Sequence, residues 1–392
     1  MPTPLAQELL EIIIGHVHDK PTLKSCALAS SRLHALSQRG LFSSIRITLA
    51  SPSWAPTTSY MLVNGHFLQS PRLAGYVTTL TVEFWYDLPA DVSAFCSLLG
   101  QLKHVRYCTL RNGHFFTYAS SFDWETPFSA PILDFIRRQN LLELNISYIS
   151  GIPPATLAAF FCATQTLSLH HVMVNRLSPD FTAAFSDAKV ECLYIIRSST
   201  ALLRLRQFAP LAANVRRMWV TVDSSYDTFN FTPEMAGCLE YLRVEWPLYE
   251  MPIYPTEPLV ALRTLDLSYW SFSRDVDPSS VVIRILEPLF SCTTTALAEI
   301  RMSYILGKKI FRKHYFHAGT LEAVAAALEK CPGAPQISWY LSVEGRSARK
   351  ERELVKFTAL LQAGLPLIHA QGRLYVQNRA FADEWSDHHH VS

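Results

Sequence analysis

The 392-residue chain has no apolar run approaching the roughly 18 residues that a membrane-spanning helix needs, so no such span is expected. No Lys or Arg precedes the first apolar run, and Glu8 and Glu11 interrupt it, which argues against a secretory leader. An excess of one charge is also missing. The 35 basic residues face 33 acidic ones, for a formal net charge of +2. A generic nucleic-acid or membrane-surface binder carries a basic excess, so neither partner is expected. Cysteine is sparse: 8 in the whole chain, with no C-x-x-C pair and no metal-type spacing. Cys96, Cys162 and Cys192 lie in apolar segments and read as reduced core thiols of an intracellular protein, cytoplasmic or nuclear. Motifs that announce catalysis are lacking too. There is no G-x-S-x-G, no G-x-x-x-x-G-K-[ST], no H-E-x-x-H and no G-x-G-x-x-G. The expectation is a protein that is not an enzyme and uses no cofactor or metal. The triplet His388 to His390 reads as a solvated tail, because neighbouring histidines on a chain end lack a preorganised shell.

What is present is a chain 49% hydrophobic and 17% charged, long enough for a large core and for more than one domain or one repeat array. Its first stretch, Pro4 to Ile47, fits three short amphipathic helices. Leu5, Leu9, Ile12 and Ile13 share one face of the first at helical spacing. Asp19 is placed to cap the second, with Pro21 in its first turn, where a missing N–H costs nothing. Leu23, Cys26, Ala27 and Leu28 supply its apolar side. Ser30 or Ser31 caps a third helix that carries Leu33 and Leu36 and runs out at Gly40. Some forty residues cannot bury a self-sufficient core, so this unit must lean on the rest of the chain, on a partner, or on both.

These residues resemble an F-box, in the form common among F-box-like proteins of mushroom-forming fungi. Leu5-Ala6-Gln7-Glu8-Leu9 matches the family's opening, Ile12 to Ile14 its isoleucine-rich helix, and Cys26-Ala27-Leu28-Ala29-Ser30 its later element. Leu41-Phe42-Ser43-Ser44-Ile45 follows as the closing segment does. Ala6 stands where the family has proline, and Leu33 where it has tryptophan. The segment Ser70-Pro71-Arg72-Leu73-Ala74-Gly75-Tyr76-Val77 is similar to the one that follows the F-box in many of these proteins. The resemblance implies a substrate-recognition adaptor of a Skp–cullin–F-box ubiquitin ligase. Its docking residues toward a Skp-family adaptor, and through it the cullin, would be Leu5, Glu8, Leu9, Ile12, Ile13, Leu23, Cys26, Leu28 and Leu33.

Beyond residue 78 the pattern changes to a recurring apolar-x-x-apolar-x-apolar motif. Its last two apolar positions are Leu80/Val82, Val105/Tyr107, Leu144/Ile146, Leu167/Leu169, Leu193/Ile195, Met218/Val220, Leu242/Val244, Leu265/Leu267, Ile300/Met302, Leu341/Val343 and Leu374/Val376. Six of the ten intervals are 23 to 26 residues, the period of a leucine-rich repeat. The alternation predicts strands with one buried face, and helical spacing predicts helices between them, at residues 91–99, 154–163, 178–188 and 201–208. Longer intervals hold insertions at 111–131, 271–280 and 306–320. Two further helices are expected at 320–331 and 349–363, the second stopped by Gly364 and Pro366. The fold class is therefore α/β: a three-helix F-box-like unit (1–47), a linker and connecting helix (48–78), an irregular leucine-rich-repeat-like solenoid with a parallel sheet and outer helices (79–382), and a tail (383–392).

Strand residues between the buried pairs should face away from the core: Arg106, Asn145, Ser168, Tyr194, Trp219, Arg243, Asp266 and Arg301. On a solenoid they line up, and Tyr, Trp and Arg are residue types enriched at binding hot spots. The candidate substrate surface is Tyr194, Trp219, Arg243, Asp266 and Arg301, with the basic insertion Lys308, Lys309, Arg312 and Lys313 suited to an acidic or phosphorylated ligand. A second column, Phe84, Tyr148, His171, Trp246, Tyr269 and Tyr304, is expected to turn inward beneath the rim. An alternative stays open, in which the chain is a non-catalytic interaction scaffold and its N-terminal helices only cap the solenoid's end.

Overall fold

The computed structural model describes residues 5–49, 59–85, 92–113, 124–175, 188–198, 209–221, 233–247, 258–270, 296–306, 320–343 and 347–378. The linker at 51–58, the helix at 201–208, nearly all of that at 178–188, the insertion at 271–280, the Lys308–Lys313 cluster and the tail at 383–392 lie outside those residues. The chain divides into two compact units, Met1–Gln165 and Thr166–Ser392.

The first unit opens with helices α1 (Gln7–Gly15), α2 (Lys20–Ala29) and α3 (Ser31–Phe42). Asp19 caps α2, its Oδ2 accepting from the Thr22 N–H at 2.8 Å and the Thr22 hydroxyl at 2.6 Å. Ser30 caps α3 through the Arg32 N–H. Gly40 does not end α3, as the sequence suggested. The helix continues to Phe42, and a Cβ at Gly40 would meet Leu23 Cδ1 at 3.2 Å. The glycine serves the close approach of α2 to α3, not a stop.

The chain then enters the sheet directly through β1 (Ser44–Leu49), a strand the repeat pattern had not announced. It pairs in parallel with β2 (Thr79–Phe84), Ile45 beside Leu80 and Ile47 beside Val82. β3 (Tyr107–Asn112) and β4 (Leu141–Ser147) extend the series, placing Leu80, Cys108 and Leu144 in one buried row and Val82, Leu110 and Ile146 in the next. The expected pair Val105/Tyr107 is therefore corrected to Cys108/Leu110. Apolar residues at 105, 107, 108 and 110 satisfy the motif in more than one phase, and Val105 is buried in the turn before the strand. Burial pushes the Cys108 thiol up to about 12, so it stays protonated.

Between these strands lie α4 (Tyr60–Gln69), α5 (Pro71–Ala74), α6 (Ser93–Gln101) and α7 (Ser129–Arg138), with α8 (Pro154–Ala163) after β4. The start of α7 had been read as the end of an insertion, although Phe128, Ile132, Phe135 and Ile136 carry helical spacing and are all buried. Tyr60, Phe95 and Phe128 join α4, α6 and the start of α7, with ring centroids 5.5 to 6.3 Å apart. Such pairs add about 0.5–1.5 kcal/mol each beyond their burial.

The second unit continues with β5 (Thr164–His170), whose first residues precede the division, then β6 (Cys192–Ile196), α9 (Ala209–Ala212), β7 (Arg217–Thr221) and α10 (Pro233–Cys238). β8 (Tyr241–Pro247), β9 (Thr264–Trp270), β10 (Glu299–Leu306), α11 (Thr320–Glu329) and β11 (Gln336–Val343) follow. The last elements are α12 (Ser347–Gly364), α13 (Pro366–Ala370) and β12 (Leu374–Asn378). Each strand from β5 to β12 pairs in parallel with the next in chain order. Parallel neighbours need a crossover, and consecutive order, with described helices in the β6–β7, β7–β8, β10–β11 and β11–β12 crossovers, is the arrangement of stacked strand–loop–helix repeats. Ile300 and Met302 sit beside Ile337 and Trp339, so the expected pair Leu341/Val343 is corrected by four residues. β11 is long enough to bury both pairs, which made its phase ambiguous.

Phe84 is buried as the second column predicted, whereas Tyr148 and His171 are less enclosed. Both are half-buried and hold left-handed turns just after β4 and β5, at φ 58° and 51°. The side chains of Trp246, Tyr269 and Tyr304 lie outside the description. Among the described residues no helix is long and apolar enough to cross a membrane.

Candidate functional site

Two places hold the residues singled out by the sequence. The first is the outer side of the helical unit. Leu5, Leu9, Ile12 and Ile13 stand at i, i+4, i+7 and i+8, and all are exposed, Ile12 at 58%. On a globular protein that stripe normally faces the core. Here Ile14 alone of α1 is buried, so the helix gives its interior one isoleucine and turns its larger apolar face to solvent. Leu28, on α2, is 89% exposed. Glu8 is exposed beside this stripe, Cys26 and Leu33 are half-buried, and Leu23 is buried against α3. The expected set thus separates into a presented face (Leu5, Leu9, Ile12, Ile13, Leu28) and its support (Leu23, with Cys26 and Leu33). Arg32 was not anticipated: its Nη2 donates to the Leu5 carbonyl at 2.8 Å and ties the start of the presented face to α3.

The second place is the face of β6 to β10 opposite the aliphatic rows. Register puts Ser168, Tyr194, Trp219, Arg243, Asp266 and Arg301 side by side in one row, as the pattern predicted. Arg106 is not part of such a row. It precedes β3, and Thr109 is the residue beside Asn145. The expectation that the row is open surface also needs correction. Trp219, Arg243 and Asp266 are buried, Arg243 only 2% exposed, while Tyr194 and Arg301 are half-buried.

These side chains are engaged with one another. The Arg243 guanidinium stacks 4.2 Å from the Trp219 ring centre, and the Tyr194 ring meets that ring edge-on at 5.9 Å. Arg243 Nη2 donates to Glu245 Oε1 at 2.7 Å, and its Nη1 lies 3.9 Å from Asp266 Oδ2. The Tyr241 hydroxyl donates to the same Asp266 oxygen at 2.9 Å. Burial, with the Asp266 charge beside it, pushes the Tyr241 hydroxyl well above the ordinary phenol range, so it remains a donor. Glu299 accepts from Arg301 at 2.8 Å and from Ser338 at 3.0 Å. Burial alone would raise its carboxyl, but these bonds and the Arg301 charge outweigh that and hold it below the usual range.

Tyr241, Glu245 and Glu299 were missed by sequence reasoning. The available signal was opposite charge at i, i+2 on one strand, Arg243 with Glu245 and Glu299 with Arg301, which places both groups on one face. Chemically the row is an ion-pair and cation–π network, in which Asp266 Oδ1 accepts no hydrogen bond from the described residues. Among the described residues no cluster of His, Cys, Asp or Glu could hold a metal ion. No protein-family model matches the chain, and no curated protein sequence matches it.

Proposed function

We propose that the chain is a substrate-recognition adaptor of a Skp–cullin–F-box type ubiquitin ligase, docking on a Skp-family protein through its helical unit and holding a protein substrate on its repeats. One observation carries this reading: the exposed apolar stripe Leu5, Leu9, Ile12 and Ile13, with Leu28 beyond it on α2. Each such side chain contributes about 1.5–3 kcal/mol when buried, before the cost of association is subtracted. A purely capping unit would turn that stripe toward the sheet, so its exposure favours docking over the scaffold alternative. The unit still joins the sheet through β1, so removing residues 1–47 would strip a paired strand along with the helices.

The appropriate test leaves β1 in place. A Skp-family adaptor is titrated calorimetrically into the full-length protein and into its Leu9→Asp/Ile13→Asp variant. One-to-one, sub-micromolar binding to the parent and none to the variant is the expected result. No binding to the folded parent overturns the adaptor reading.

A further inference from the structure

We infer that the rim where the strands of the first unit begin is a second binding surface, one that takes an extended anionic segment of a partner protein. This inference stands independently of the adaptor reading. The rim is formed by the ends of α3, α5, α6 and α7 and the turns that lead from them into β1 to β4. Across residues 37–44, 66–79, 100–107 and 134–143 it carries Arg39, Arg72, Lys103, Arg106, Arg137 and Arg138, against two acidic residues, Asp134 and the half-buried Glu143. All six cations are exposed. Asp134 reaches only Arg137, at 3.9 Å, and gives its backbone carbonyl to Arg138. Among the described residues Arg39, Arg72, Lys103 and Arg106 make no ion pair.

Backbone hydrogen bonds bring these turns together in strand order. The Thr78 N–H donates to Ser43 O, the Arg106 N–H to Thr78 O and the Leu142 N–H to Arg106 O, each at 2.8 Å. Gln139, next to Arg138, donates its side-chain amide to Leu102 O, next to Lys103, at 2.9 Å. With strands about 4.8 Å apart, four of them span about 15 Å, the reach of roughly four to five extended residues.

A simpler explanation covers part of the cluster. Arg39, Arg72, Arg137 and Arg138 lie in last helical turns, where the negative end of the helix dipole favours a cation. It does not cover Lys103 and Arg106, which lie beyond α6 in the turn to β3. Nor does it account for the missing counter-charges. On the matching turns of the second unit Arg216 lies 3.6 Å from Glu240, and Glu191 adds another exposed carboxylate. Lys189 and Arg263 on those turns are likewise exposed and make no ion pair among the described residues, but Glu191 and Glu240 accompany them. The first unit's rim differs in its denser excess of cations, and exposed Lys and Arg presenting several donors are suited to carboxylate and phosphate groups. The nearly balanced charge of the whole chain favours a peptide over a nucleic acid as the source of the anions.

The test is fluorescence anisotropy of full-length protein with a labelled oligoglutamate peptide, with its phosphoserine counterpart, and with a single-stranded oligonucleotide of equal charge. The expected result is peptide binding that weakens with salt and falls roughly tenfold in Lys103→Glu/Arg106→Glu, the scale of lost charge-assisted bonds. Lys103→Arg/Arg106→Lys should retain it, and Arg216→Glu should leave it unchanged. Tighter binding of the phosphoserine peptide would identify phosphate as the natural anion, and equal binding would identify carboxylate. Far-ultraviolet circular dichroism and the urea midpoint confirm that each variant is folded. The inference is overturned by equal peptide affinity of parent and Lys103→Glu/Arg106→Glu, by no peptide binding, or by tighter binding of the oligonucleotide.

Discussion

The outer face of α1 and the row from Trp219 to Asp266 invert the usual relation between polarity and solvent. On α1, leucine and isoleucine face water. On β7 to β9, an arginine, an aspartate and a glutamate are buried. Neither arrangement is favourable in isolation. Exposed apolar surface forgoes about 25 cal/mol per Å² that burial would provide. Buried charge loses hydration worth several kcal/mol per ion and is tolerated only when paired. The difference lies in what completes each region. The charged row finds its partners within the chain, in Glu245, Tyr241 and the Trp219 ring, with Asp266 Oδ1 alone of its carboxylate's oxygens accepting no hydrogen bond from the described residues. The apolar face is left incomplete, which is what an interface requires of a surface.

The largest expected effect comes from breaking the internal network. Arg243→Ala leaves Asp266 and Glu245 without their guanidinium, and should destabilise the second unit by about 3–5 kcal/mol, read from urea unfolding. A loss below about 1 kcal/mol would mean the network contributes as little as an exposed pair does. A smaller effect is expected at the support of the apolar face. Ser30→Ala removes the α3 cap and should cost about 1 kcal/mol in the same measurement. Smaller still, and local, is the acid response of α2. Hydrogen bonds from the Thr22 hydroxyl and then the Thr22 N–H hold the Asp19 carboxyl below its ordinary value of 3.8. A depressed folded value means the contribution is complete above 3.8 and disappears as pH falls through the folded value. Protection of the Thr22 amide, relative to its intrinsic exchange rate at each pH, should therefore fall only in acid, and unchanged protection across that window would contradict the cap. The smallest expected effect sharpens the comparison most: Leu9→Asp/Ile13→Asp should change unfolding free energy by no more than about 0.5 kcal/mol, as exposed substitutions do. A large loss would show that the stripe supports the fold.

Much of this architecture was legible in the chain. Three helices, the parallel repeat strands and the alignment of Tyr194 to Arg301 follow from periodicity, and the Asp19 cap from residue type; for α3 the sequence offered Ser30 or Ser31, and the structure uses Ser30. The register at Cys108 and Ile337 was not legible, because apolar residues flank those strands and satisfy the motif in more than one phase. Gly40 looked like a stop because sequence does not show Leu23 packed against it. Alternation also tells which side of a strand meets the aliphatic core, but not whether the other side is covered. Trp219, Arg243 and Asp266 therefore read as surface until their mutual contacts were seen. The stripe on α1 was legible as a face, and only the structure shows which way that face points.

The account rests on the α1–α2 face being an interface while the charged row is interior structure. Amide hydrogen exchange of the full-length protein, with and without a Skp-family adaptor, addresses both halves at once. The predicted result is new protection confined to residues 5–34, with 209–221, 233–247 and 258–270 unchanged. Protection that appears in those strand segments, or none in the helices under saturating adaptor, would contradict it.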